Sequence, residues 1–101
     1  MTQAASDMAQ YFKRDWDEPR GDAHADWGTS TWYFETAPDM WPSRQIEVYA
    51  NGTVLQYDQE HIEDKYGALS EAPLDAEELA PFEITQEEFE RVWGSKPPMN
   101  K

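Results

Sequence analysis

The chain of 101 residues contains no cysteine, which excludes a disulfide scaffold and any cysteine-based zinc site. Basic residues are scarce, with eight Lys and Arg against 21 Asp and Glu, for a formal charge of −13. Such a surface repels nucleic-acid backbones and anionic membranes, because both are bound by neutralising phosphates with Lys and Arg. The apolar runs are too short for a membrane span, and the start, Met1 to Asp7, lacks a basic segment followed by an apolar one. The expectation is a soluble cytoplasmic protein. Two catalytic signatures are also missing: no Gly-x-Ser-x-Gly elbow surrounds any serine, and there is no glycine-rich phosphate loop. Nothing in the sequence calls for an enzyme, and no catalytic, cofactor-binding or metal-ligating residue is nominated.

What is present is aromatic and acidic. Five Trp, five Tyr and four Phe supply apolar surface for one modest core, and the length suits one domain. Thirteen of the acids lie between Gln45 and Glu90, where Lys65 is the sole basic residue. This segment would attract a basic partner and speed the encounter. The plainer reading, that acidity keeps a small protein soluble and monomeric, has the greater weight.

Asn51-Gly52 divides two strand-like segments, residues 44–50 and 53–59. Read as a two-residue turn with positive φ at both positions, it predicts a hairpin with Ala50 opposite Thr53, Val48 opposite Leu55 and Ile46 opposite Tyr57. In that register Ile46, Val48, Leu55 and Tyr57 share a core face, and Gln45, Glu47, Gln56 and Asp58 face water.

Thr29 to Thr36 reads as a strand, with Trp32 and Phe34 on one side and Thr31, Tyr33 and Glu35 on the other. Tyr11 to Trp16 fits helix or strand, since Phe12 and Trp16 share a face at either period. The aromatics and nearby Pro19 favour strand. Asp17 to Gly28 and Ala37 to Ser43 read as loops, and Glu60 to Ala72 as a loop with one helical turn. Asp75 caps a short helix that Pro81 stops. Thr85 to Glu88 forms a capping box, with Ile84 and Phe89 as a hydrophobic staple and Glu87 and Arg91 as an i, i+4 pair. The helix it starts, 86–93, buries Phe89, Val92 and Trp93 and ends at Gly94.

The sum is an α+β fold: a small antiparallel sheet of three to four strands, including the 44–50/53–59 hairpin, covered by one or two short helices. Residues 1–9 are expected to be a flexible lead-in, 10–94 the globular domain and 95–101 a disordered tail.

His61, among Asp58, Glu60 and Asp64, and His24, between Asp22 and Asp26, are weak candidates for metal ligation because the motif spacing is missing. Asp15, Asp17 and Asp22 fail the EF-hand pattern, with Pro19 at a ligand position and Asp26 where a Glu is required. Arg20-Gly21-Asp22 reads as a turn. Trp27, Trp32, Tyr33 and Trp41 crowd one stretch; they serve as core or as a recognition patch. Arg44, a cation amid carboxylates, most simply makes a structural ion pair.

The segments Tyr11-Phe-Lys-Arg14, Trp16-Asp-Glu18, Arg20-Gly-Asp22, Trp27-Gly28, Trp32-Tyr-Phe-Glu35, Arg44-Gln-Ile-Glu-Val-Tyr49, Asn51-Gly52, Leu55, Tyr57, Phe82-Glu-Ile84, Glu87-Glu-Phe-Glu90 and Trp93 resemble a family of small uncharacterised bacterial domains. The resemblance covers about residues 11 to 93. It implies a stand-alone bacterial cytoplasmic domain and brings no activity, cofactor or catalytic residue with it.

The functional expectation is a non-enzymatic protein-binding domain that takes a basic protein partner, of an inhibitor or immunity type, through Trp27, Trp32, Tyr33, Trp41 and Arg44. No nucleic-acid or membrane partner is expected. The alternative is a small enzyme or ligand-binding domain with a pocket between the sheet and the 17–28 loop, using Asp22, His24, Trp27 and Arg44. A third reading, mimicry of nucleic-acid charge, requires carboxylates in rows.

Overall fold

The computed structural model describes residues 9–95. The expected lead-in (1–9) and tail (95–101) fall outside the described residues apart from Ala9 and Ser95. Five strands form one antiparallel sheet in the order β4-β3-β2-β1-β5: β1 Gln10–Trp16, β2 Ser30–Thr36, β3 Pro42–Tyr49, β4 Val54–Tyr57 and β5 Glu83–Ile84. Two helices accompany it, α1 Ala76–Leu79 and α2 Gln86–Ser95. The class is α+β, as the sequence predicts, with a fifth strand contributed by the short segment before α2.

The central strand is β2, which pairs with β3 on one side and on the other with β1, in register from Gln10 opposite Thr36 to Trp16 opposite Ser30. Strand, not helix, wins for Tyr11 to Trp16 because this ladder satisfies the backbone along the whole segment. The pleat sends Phe12, Arg14, Trp16, Ser30, Trp32 and Phe34 to one face and Tyr11, Lys13, Tyr33 and Glu35 to the other.

The β3–β4 hairpin corrects the expected register by one residue. Val48 pairs with Val54, Glu47 with Leu55, Ile46 with Gln56 and Gln45 with Tyr57. The cause lies in the turn. Gly52 N–H donates to Tyr49 O (2.8 Å) and Tyr49 N–H donates to Thr53 O (2.8 Å), which makes a three-residue loop. Gly52 alone takes positive φ (+94°), as the extra, bulged residue, while the Asn51 side chain accepts from Thr53 N–H (2.9 Å). The slip moves Leu55 and Tyr57 away from Ile46 and Val48 and places them with Gln45, Glu47 and Tyr49.

Neither face of this hairpin is wet. Gln45, Glu47 and Gln56, expected in solvent, are all buried. One face, here the helix face, lies under α2, where Phe89 packs with Tyr11, Ile46 and Val54. Gln56 Nε2 donates to Trp93 O (2.7 Å). The opposite face lies partly under the chain from 17 to 28 and from 58 to 82. Trp27, Tyr49, Leu55, Tyr57 and Leu69 form one cluster there, and Phe12, Met40 and Leu79 form another.

Both helix starts follow their sequence signals. Asp75 accepts from Glu77 N–H and Glu78 N–H, and Thr85 Oγ1 accepts from Glu88 N–H (3.1 Å). Pro81 does not end the segment outright; it sits in a 3-10 turn, Ala80–Phe82, that feeds β5. α2 runs through Gly94 to Ser95 instead of stopping at Trp93. The helical turn expected within Glu60 to Ala72 is replaced by irregular chain with two bridges, Asp58 to His61 and Glu63 to Ala68. Asp64 organises it, accepting at Oδ1 from Tyr57 Oη (3.0 Å), Tyr66 N–H (2.8 Å) and Gly67 N–H (3.1 Å).

Candidate functional site

The middle of the sheet face opposite α2 is left uncovered. Trp32 rises there from β2 and Trp16 from the end of β1, two positions apart in the register, with Trp16 49 % exposed. The two indoles line two hollows. The larger, about 520 Å³, lies between the sheet and the 17–28 loop and is lined also by Glu18, Arg20, Asp22, Glu47, Tyr49 and Tyr66. The smaller, about 300 Å³, is walled by Phe34, Leu74 and Leu79, with Arg14, Asp75 and Glu78 at its edge.

Glu47 stands in the lining of the larger hollow, 3 % exposed. Its Oε1 accepts from Tyr49 Oη (2.6 Å) and its Oε2 from Gln45 Nε2 (2.9 Å). Gln45 is itself pinned by Ala68 O and by Ser70 N–H. Burial pushes the Glu47 carboxyl above the usual carboxylate range, against the pull of those two hydrogen bonds. Among the described residues no Lys or Arg forms an ion pair with it.

Arg20 forms the far wall. Its guanidinium lies over Trp27 (5.2 Å) and Tyr49 (5.8 Å), donates to Tyr49 Oη (3.3 Å) and Tyr66 O (2.6 Å), and pairs with Asp22. The hydrogen bonds from Arg20, then the backbone N–H of His24, pull Asp22 down to about 2. The Arg20-Gly21-Asp22 tripeptide is thus a locally closed turn, as its residues suggest. Gly67 brings the 58–70 chain close: a Cβ there would lie 3.1 Å from Tyr57 Oη and 3.9 Å from Glu47 Oε2.

The residues singled out in the sequence are dispersed. Trp27 is buried beneath Arg20, edge-on to Tyr49 at 5.1 Å. Trp32 lines both hollows, and its Nε1 donates to Ser30 Oγ (2.8 Å). Tyr33 points to the helix face, with Lys13 over its ring. Trp41 is 45 % exposed but lines neither hollow. Arg44 also belongs to the helix face, where it bonds Glu35 and Glu90 and stacks on Phe89 (4.8 Å) and Trp93 (5.0 Å). It therefore takes no part in the pocket that the alternative reading assigned to it. Of that set, Asp22 lines the larger hollow, while His24 packs on Trp27 (4.5 Å) and Tyr66 (5.6 Å). His61 pairs with Asp64 at 3.1 Å and stacks on Tyr57. Among the described residues no three His, Asp or Glu side chains gather as a metal site.

Sequence reasoning missed Trp16 and Glu47. The shared parity of Phe12 and Trp16 was a usable signal for the first. Glu47 was hidden by the hairpin register, which placed it in water.

These features define a small α+β domain with a tryptophan-lined groove on one face of a five-stranded antiparallel sheet. The chain belongs to the family described as Domain of unknown function (DUF6881), which it matches over residues 10–97. No curated protein and no solved structure matches it. Among the described residues no helix is long and apolar enough to cross a membrane.

Proposed function

We propose that this domain is a non-enzymatic binding module that holds a basic protein partner in the groove rimmed by Trp16 and Trp32. The observation that carries this reading is the pair of indoles shared by two adjoining hollows, one polar and one apolar. Exposed aromatics beside concave surface supply anchoring contacts at interfaces. Charge supports the sign of the partner: three carboxylates and one guanidinium line the larger hollow, on a chain of net charge −13. A cytoplasmic, bacterial setting, as the resemblance implies, accords with the absence of cysteine. An inhibitor or immunity role would follow if the covered partner surface is itself active.

The test is affinity capture from lysate at low salt with the wild-type domain, Trp16→Ala and Trp32→Ala side by side. A stoichiometric basic protein retained by the wild type, lost from both variants and released as salt rises supports the reading. Equal retention by all three, or no stoichiometric partner, overturns it.

A small-molecule site, with or without catalysis, is the second reading. It is favoured by the open hollow between the sheet and the 17–28 loop, where a tightly packed loop would have removed it. Thermal-shift screening of the wild type and Glu47→Gln against small amines and planar heterocycles distinguishes the two. A hit that Glu47→Gln abolishes, without any protein partner, favours the second.

A further inference from the structure

We infer that the larger hollow is a receptor for one arginine side chain, presented on an extended segment of the partner polypeptide, with Glu47 as the terminal acceptor of its guanidinium. This rests on the binding-module reading and names what the groove recognises.

Four observations converge. Glu47 is a nearly fully buried acid in the lining of an open hollow and makes no ion pair among the described residues; Arg20, in the same lining, reaches it only through space and through the shared Tyr49 hydroxyl. Burial makes the ionised form of Glu47 costly, so a cation brought within hydrogen-bonding reach would favour that form and be held by it. Its two hydrogen bonds, from Tyr49 and Gln45, occupy one acceptor site on each oxygen and leave others open. Three aromatic residues, Trp16, Trp32 and Tyr66, belong to the lining, and side chains of that type attract a flat, weakly hydrated cation. The domain already lodges its own arginine in this manner, since Arg20 lies over Trp27 and Tyr49 and ends on a carboxylate.

Arginine is favoured over lysine because a guanidinium stacks and donates in a fork, whereas an ammonium keeps its water more strongly. A polypeptide is favoured over a free amine because the second hollow, lined by Phe34, Leu74 and Leu79, adjoins the first across the same two tryptophans. It would take an apolar side chain a few residues along the same strand of peptide.

The experiment follows the indole N–H resonances of Trp16 and Trp32 by NMR, with Trp41 as the remote control. Four probes are titrated: N-acetyl-arginine amide, its neutral isostere N-acetyl-citrulline amide, N-acetyl-lysine amide, and a blocked peptide with arginine at its centre and leucine near each end. The expected result is saturable shifts of Trp16 and Trp32 with arginine, about tenfold weaker with citrulline. Lysine should fall between, and the peptide should bind more tightly than the single residue. The arginine preference should grow as pH rises through the range, above that of an ordinary glutamate, in which Glu47 gives up its proton, and Glu47→Gln should remove it. The pH arm stands on wild-type protein and holds if that variant does not fold.

Citrulline binding as well as arginine overturns the cation receptor and leaves the groove reading standing. Lysine binding more tightly than arginine overturns the choice of a guanidinium, and single arginine matching the peptide overturns the polypeptide occupant. Silence of both indoles towards all four probes overturns the inference and counts against the groove itself.

Discussion

A Cβ added to Gly28 would stand 2.8 Å from the Cβ of Ala50. That contact is where the loop from β1 to β2 meets the β3–β4 turn, which it also binds through Asn51 N–H to Trp27 O (3.1 Å) and Ala50 N–H to Thr29 O (2.9 Å). Gly28 is held at φ +90°. Gly28→Ala therefore meets both a steric overlap and a left-handed backbone. A loss of about 2–4 kcal/mol is expected, read as a lower urea midpoint at unchanged slope. Gly21→Ala, with nothing within 4 Å of the added carbon, should change the midpoint little.

Arg44 clamps α2 to the sheet. Its Nε donates to Glu35 Oε1 (2.8 Å) and its Nη1 to Glu90 Oε1 (3.1 Å), while Phe89 and Trp93 lie beneath it. Arg44→Met keeps much of the packing but leaves Glu35 half-buried without its cation. The expected loss is about 2 kcal/mol, between the ranges for exposed and buried pairs. Glu90 is more exposed, so Glu90→Gln should cost less than about 1 kcal/mol. Chemical denaturation of the two variants gives the order, and a larger loss from Glu90→Gln would contradict the clamp.

Phe89 has no solvent exposure and joins α2 to Tyr11, Ile46 and Val54. Phe89→Ala should cost about 3–5 kcal/mol. Thr85→Ala, which removes only the cap, should cost about 1 kcal/mol. Thermal melts of both report the difference; equal effects would mean that α2 is held by its start and not by its core contact.

Two glutamates give stability opposite pH dependences. Glu35 is held below the usual carboxylate range, chiefly by hydrogen bonds from Arg44. Its contribution is present above the unfolded value, about 4.3, and is lost as pH falls through the folded one. Glu47 is raised by burial, so the folded state retains a proton that the unfolded chain releases. Its contribution is complete below about pH 4.3 and is lost as pH rises through the folded value. Glu47→Gln should flatten the decline on the alkaline side of that point and leave the acid limb, and Arg44→Met should do the reverse. Urea midpoints measured from pH 3 to 8 check both signs.

The fold was legible wherever one signal acted locally. The β-branched and aromatic run of β2, the Asp75 and Thr85 caps and the Ile84–Phe89 staple each specify their element without help from distant chain. The hairpin register was not legible, because Asn-Gly supports a two-residue turn and a three-residue loop alike. The alternation in β3 and β4 taken alone implies a sheet with one wet face. With Gln45 and Glu47 under the 58–70 chain and Gln56 under α2, polar no longer means exposed. What decides the register is long-range cover, which local pattern does not encode. The same error hid the groove, since it removed Glu47 from the interior.

Trp16 and Trp32 belong to none of the three core clusters, neither the one under α2 nor the two on the groove face, so the rim tryptophans carry little of the fold. A lineage can exchange Trp16 or Glu18 without dismantling the scaffold beneath them. Diversification among clients would then leave its record as variable rim positions over an unchanging set of helix-face contacts.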